Sequence, residues 1–176
     1  MATKTATATL DGDGMRLATV TGSGHTIVLD NAEGNGGPRP AEMLMVAQAG
    51  CTAMDVVSIL RKKRQAFGRY EVRVSGAQRD DPAPHVYERV EIVHVIDGAD
   101  VDVSAVSRAI ELSATRYCTV TAMLSAGPAE IHHRYLIRRG DGRPDEAGEV
   151  LATGPRADPD AIAANDRAST RMSGTP

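Results

Sequence analysis

Residues 40–67, PAEMLMVAQAGCTAMDVVSILRKKRQAF, decide how this chain folds. Pro40 suits the first position of a helix, and Glu42 suits the positive end of its dipole. Arg61, Lys62, Lys63 and Arg64 suit the negative end, and Gly68 is a natural stop. Between those ends apolar residues fall on nearly every side, which predicts a helix buried all round. Unbroken, it would be roughly 40 Å long at about 1.5 Å per residue, longer than a domain of this size needs. A partner subunit supplying part of the cover removes the mismatch.

The segments around this helix read as strands. Before it, TATATL (5–10), MRLATVT (15–21) and HTIVLD (25–30) alternate or are β-branched, and Gly-rich turns separate them. After it, YEVRVSGAQ (70–78) and VYERVEIVHVI (86–96) predict two strands, and EIHHRYLIRR from residue 130 predicts a last one. Between these, residues 103–117 place Val103, Val106, Ile110 and Tyr117 on one face of an amphipathic helix that ends at Cys118. The order is β-β-β-α-β-β-α-β, with strands in antiparallel pairs, which makes the chain α+β. From Gly140 onward Gly, Pro, Asp, Ala and Arg dominate. The expected organisation is therefore one domain over 1–139 and a mobile tail over 140–176, with one short helix near Pro159 to Asp166.

Composition narrows the function classes. The chain has 176 residues, no Trp, one Phe and four Tyr, so few rings are available to stack on bases. The net charge of −3 carries no footprint for nucleic acid or an anionic membrane. The Arg61–Arg64 run reads as a solvated helix end. Residues 1–14 hold no apolar run, so no signal peptide or membrane anchor is expected there, and the expected compartment is the cytoplasm. No CxxC pair exists, and His132 and His133, adjacent on a strand, point to opposite faces. The expectation is no bound metal and no cofactor.

Two cysteines remain, Cys51 and Cys118, 67 residues apart. Composition alone favours inert core thiols, because free Cys is among the most buried residue types. The sharper reading is a nucleophilic thiolate, which needs a neighbour that lowers its pKa. On a helix, Gln48 and Asp55 share the side of Cys51, whereas Glu42 lies half a turn away on a straight axis. Arg16 and Arg39 are the upstream candidates for an activating cation.

At this point the residues resemble the OsmC/Ohr family. Gly37-Pro38-Arg39-Pro40-Ala41-Glu42-Met43-Leu44, Gly50-Cys51 and Asp55-Val56-Val57-Ser58-Ile59-Leu60 are similar to its signature helix. Arg116-Tyr117-Cys118-Thr119-Val120, Gly14–Leu17 and Ser23-Gly24-His25 match as well, so the resemblance spans about 10–138 and lies with the general OsmC-like branch. It implies the OsmC-like fold, with a long central buried helix in an intertwined homodimer. It also implies a thiol peroxidase in oxidative stress defence: Cys51 would attack a hydroperoxide, and Cys118 would close a disulfide on the sulfenic acid. A dithiol reductant, typically of lipoyl type, would restore the thiols. Gln48, Glu42, Arg16 and Arg39 are the candidate activating or positioning residues. The sequence departs from the peroxidase branches at Ala41, where they have an acid, and in the Arg-free hairpin 21–25. Those departures motivate two other readings: a non-catalytic dimer that binds an apolar ligand or partner, and acyl transfer by Cys51 with a nearby His.

Overall fold

The computed structural model describes residues 3–155. The fold is α+β, and the described residues form seven strands in two sheets. The described residues divide between Val46 and Ala47 into two compact units.

In the first unit, β1 (Ala6–Leu10), β2 (Leu17–Thr21) and β3 (Thr26–Leu29) form an antiparallel meander in that order. The registers Ala6↔Thr21 and Leu17↔Leu29 keep the strands level. Gly24, at φ +86°, closes the second hairpin with Gly24 N–H donating to the Thr21 carbonyl. After β3, buried Asp30 accepts hydrogen bonds from the backbone N–H groups of Asn31 and Gly36 at 2.8 and 2.9 Å. Gly37 passes so close that a Cβ there would sit 2.3 Å from the Val28 carbonyl oxygen. The loop thus returns tightly against β3. Leu10, Met15 and Val20 of this unit are exposed.

Helix α1 (Glu42–Lys62) begins in the first unit and runs through the second. Its start is fixed locally. The Arg39 N–H donates to the Glu42 carboxylate at 2.9 Å, so the glutamate reaches back to cap the turn at Pro40 and Ala41. Its end differs from the expectation at Gly68. Arg64 turns left-handed (φ 56°), and Gln65 N–H donates back to the Leu60 carbonyl at 3.0 Å, a Schellman closure made without glycine. The expectation of burial all round also fails within one chain. Only the stripe Gln48, Thr52, Val56 and Leu60 is buried, and Leu44, Val46 and Met54 are exposed. By length and hydropathy α1 would also suffice to cross a membrane, but Val56 and Leu60 belong to the protein core.

In the second unit β4 (Tyr70–Gln78), β5 (Tyr87–Asp97), β6 (Glu130–Arg138) and β7 (Glu146–Thr153) form one sheet in that order. β5 and β6 are parallel, because a helical crossover joins them. That crossover starts with α2 (Val103–Leu112), whose N-cap Asp102 accepts from Ser104 N–H at 2.9 Å. The predicted helix over 103–117 stops being α-helical at Ser113. Residues Ser113–Tyr117 widen into a π-helical turn, Cys118 is extended (φ −72°, ψ 102°), and α3 (Thr119–Ser125) follows. The core packs α1 and α2 on the sheet through Val56, Leu60, Val106, Ile110, Ile96 and Ile137, all fully buried.

The expected tail from Gly140 is corrected by β7, which pairs with β6 from Ile137↔Glu146 to Ile131↔Thr153. The folded part therefore runs well past residue 139. A strand held by its ladder needs few large side chains, and β7 buries only Val150 and Leu151. Arg139, 8% exposed, secures the turn. It donates to the carbonyls of Val101 (2.6 Å) and Ala99 (2.9 Å) and pairs with Glu146. The short helix expected near 159–166 lies outside the described residues.

Candidate functional site

The second unit brings Cys51 and Cys118 together. Cys51 sits mid-helix on α1 and is half-buried, whereas Cys118 is 2% exposed. Their sulfurs and a carboxylate oxygen of Asp55 all lie within 4.8 Å of one another. Asp55 is one turn beyond Cys51 on the same helix side, as the spacing predicts.

Cys118 is held by the break between the π-helical turn and α3. Its own N–H donates to the Ser113 carbonyl at 2.9 Å, closing the wide turn. Its sulfur is the N-cap of α3 and accepts from Thr121 N–H at 3.4 Å. A π-turn places a residue off the regular helical surface, and such turns recur at functional sites. Here it aims Cys118 at α1. The two cysteines therefore meet although one interrupts a helix and the other lies within one.

Gln48, fully buried one turn before Cys51, reaches the same sulfur. Its Nε2 lies 3.8 Å from Cys118 Sγ and donates to Thr121 Oγ1 at 2.8 Å. Its Oε1 is buried without a hydrogen-bond partner. On the other side, Ser113 Oγ donates to Asp55 Oδ2 at 3.0 Å and lies 3.0 Å from Thr52 Oγ1. The carboxylate beside the two thiols is thereby oriented by a hydroxyl pair.

Burial pushes the Cys118 thiol above its ordinary pKa. The hydrogen bond from Thr121 opposes the shift, and the neighbouring Cys51 adds to it. Cys118 is therefore a protonated thiol at neutral pH. Tyr70, on β4, is also raised, first by burial and then by the charge of Asp55.

The other candidates are placed as follows. Gln48 is at the site. Arg16 pairs with Asp11 at 3.5 Å, and Arg39 pairs with Glu42 at 3.1 Å, all within the first unit. Within residues 47–155, the sulfurs' partners are each other, Gln48 and Thr121, and no Arg or Lys is among them. His94 and His133 hydrogen-bond to Tyr70 and Thr153, not to a sulfur. The acyl-transfer reading, which needs an imidazole on Cys51, therefore has no support in this unit. Sequence reasoning missed Thr121, Ser113 and Thr52. The run Cys118-Thr119-Val120-Thr121 carried a signal for Thr121, since a polar side chain three residues before a free N–H is an N-cap pattern.

Comparison with known proteins shows the family of the chain. The family described as OsmC-like protein matches residues 32–134, more than half of the chain. Protein YhfA of Escherichia coli K12 is 37% identical over 125 residues, covering 71% of this chain and 92% of YhfA. A solved structure from Aquifex aeolicus VF5 is 29% identical with a TM-score of 0.67, covering 78% of this chain and 98% of that one. An organic hydroperoxide resistance protein of Elizabethkingia anophelis shares the fold at 16% identity and a TM-score of 0.57, covering 78% and 96%. The matched range includes both Cys51 and Cys118, and the chain belongs to the OsmC-like protein family.

Proposed function

We propose that the chain is a thiol peroxidase that reduces organic hydroperoxides or hydrogen peroxide through Cys51 and Cys118. One observation carries this reading: the sulfur of half-buried Cys51 stands within 4.8 Å of that of buried Cys118, which is still a thiol. The less buried Cys51 meets the peroxide and the buried Cys118 resolves it. The name of the Elizabethkingia anophelis fold neighbour supports the substrate class.

The chemistry balances in three steps. The Cys51 thiolate attacks one peroxide oxygen, the O–O bond breaks, and the alkoxide leaves to take a proton from water. Cys51 is then a sulfenic acid. The Cys118 sulfur attacks it, the S–O bond breaks, and hydroxide leaves with the Cys118 proton as water. An external dithiol, of lipoyl type, returns two electrons by exchange through a mixed disulfide. A site cycled by a dithiol needs a reducing compartment, so we place the protein in the cytoplasm. Gln48 holds Cys118 and Thr121 in register with α1 while the disulfide forms.

One equivalent of cumene hydroperoxide added to the reduced chain is expected to give a Cys51–Cys118 disulfide, read as a loss of two hydrogens by mass spectrometry. Two unmodified thiols would overturn the reading and leave a non-catalytic binding protein.

We also propose a homodimer. The exposed Leu44, Val46 and Met54 of α1, with Leu10, Met15 and Val20, are apolar surface that a second copy would cover. Sedimentation at twice the 18.6 kDa chain mass is expected, and sedimentation at the single-chain mass would refute the dimer.

A further inference from the structure

The Cys51–Cys118–Asp55 cluster holds more than a redox pair. Cys51 Sγ, Cys118 Sγ and an Asp55 carboxylate oxygen lie within 4.8 Å of one another, on three residues that are half-buried or buried. Fully ionised, these groups would carry three negative charges, and within residues 47–155 no Arg or Lys is among the partners of the sulfurs. A cation between the ligands relieves that repulsion.

We propose that the reduced site binds one soft divalent cation of the zinc class through Cys51, Cys118 and Asp55. Two thiolates and one carboxylate suit Zn²⁺ and discriminate against Mg²⁺ and Ca²⁺, which take oxygen ligands. With Zn–S near 2.3 Å and Zn–O near 2.1 Å, tetrahedral ligand edges are about 3.5–3.8 Å. The three donors need only contract from within 4.8 Å to reach them.

Two further features fit. Ser113 Oγ already donates to Asp55 Oδ2, the outer contact that orients a ligating carboxylate. The fourth position has a candidate in Gln48, which is fully buried with an unpartnered Oε1. A half-turn of its amide exchanges oxygen and nitrogen, which brings the oxygen to the Cys118 side, where Nε2 now lies 3.8 Å from Sγ. Thr121 Oγ1, now the acceptor, would then donate. The absence of CxxC spacing did not exclude this site, because the fold joins cysteines 67 residues apart.

Binding is a proton exchange. Each thiol gives its proton to water as its S–metal bond forms, and no electrons move. The same sulfurs cannot meet a peroxide while they hold the ion, so the cation masks the dyad reversibly.

The test uses the full reduced chain without oxygen and without peroxide. Zn²⁺, measured against a chromophoric chelator, is expected to bind with one ion per chain. Co²⁺ in its place is expected to show a thiolate charge-transfer band and the strong visible bands of tetrahedral geometry. Asp55→Asn should weaken binding by at least the roughly 10–100-fold that loss of an orienting contact costs, and Cys118→Ala by more. The disulfide form of the unaltered chain, which needs no variant to fold, should not bind. Absence of saturable binding, octahedral cobalt without thiolate bands, or equal binding by the disulfide form would each overturn the site. None of these readouts depends on turnover, so the cation site can fail while the peroxidase reading stands, and the reverse.

Discussion

Cys51→Ser is expected to lower hydroperoxide consumption to the uncatalysed background, with no residual turnover. A hydroxyl in that place is neither ionised at neutral pH nor able to form a sulfenic acid, so both roles of the residue disappear together. Cys118→Ser is expected to fail differently. Its Cys51 is intact and only half-buried, so the first equivalent of peroxide is consumed at close to the normal rate. The sulfenic acid then finds no thiol within 4.8 Å, persists, and is driven to sulfinic acid by further peroxide. The measurement is peroxide consumed per chain, with intact-mass spectra at each equivalent. Normal multiple turnover by Cys51→Ser would move the chemistry away from this sulfur. The reverse pattern, with Cys118→Ser silent and Cys51→Ser giving one turnover, would exchange the two roles. Serine is close in size to cysteine, and Thr121 N–H retains an acceptor at position 118, so the α3 cap should survive.

The legible part of this architecture is the part governed by local pattern. α1 was readable because its dipole-matched ends and apolar centre are properties of consecutive residues. Its stop was not, because Arg64 closes the helix in a left-handed conformation that sequence rules assign to glycine. The position of Cys118 at a helix end was readable from the amphipathic run before it. The π-helical turn that aims it at α1 was not, since Ser113–Tyr117 keeps a helical pattern while changing its pitch. Asp55 and Gln48 could be placed beside Cys51 by helical spacing alone. Thr52–Ser113–Asp55 could not, because that contact spans about sixty residues and is made by hydroxyls with no periodic signal. β7 was missed for a related reason. Its hold on the sheet is backbone pairing and the carbonyl contacts of Arg139, and neither shows in composition.

The largest expected effect on stability comes from two histidines that take no part in the site. His94 on β5 and His133 on β6 are both fully buried, one pleat apart on the helix-covered face of adjacent strands. Burial is the main cause that lowers His94 to about 3 and His133 to about 4. His133 lowers His94 further, and His132 and Glu149 act on His133 with opposite signs. Neutral Tyr70 faces His94, with its hydroxyl 2.6 Å from Nδ1, and Thr153 faces His133 at 3.3 Å. His94 Nε2 and His133 Nδ1 have no hydrogen-bond partner, so nothing compensates a proton taken up in place. The sign follows from linkage. Both folded values lie below the ordinary 6.5, so between about 6.5 and 4 the unfolded chain binds up to two more protons than the folded one. Their stabilisation is complete above about pH 6.5 and is lost as pH falls toward 4, at up to about 1.4 kcal/mol per pH unit for each histidine. By pH 4.5 the loss is roughly 5 kcal/mol, comparable with the whole stability of many domains. Glu71 and Glu149, whose values are lowered from 4.5, begin to lose their contribution only as pH falls through 4.5. Urea unfolding between pH 7 and 4.5 should show the slope, and His94→Gln with His133→Gln should flatten it. If those variants do not fold, the His94 and His133 imidazole proton resonances of the unaltered chain should stay unshifted from pH 7 to 5. Equal slopes in the unaltered and doubly substituted chains, or two buried imidazoles titrating near 6.5, would show that these rings carry no such load.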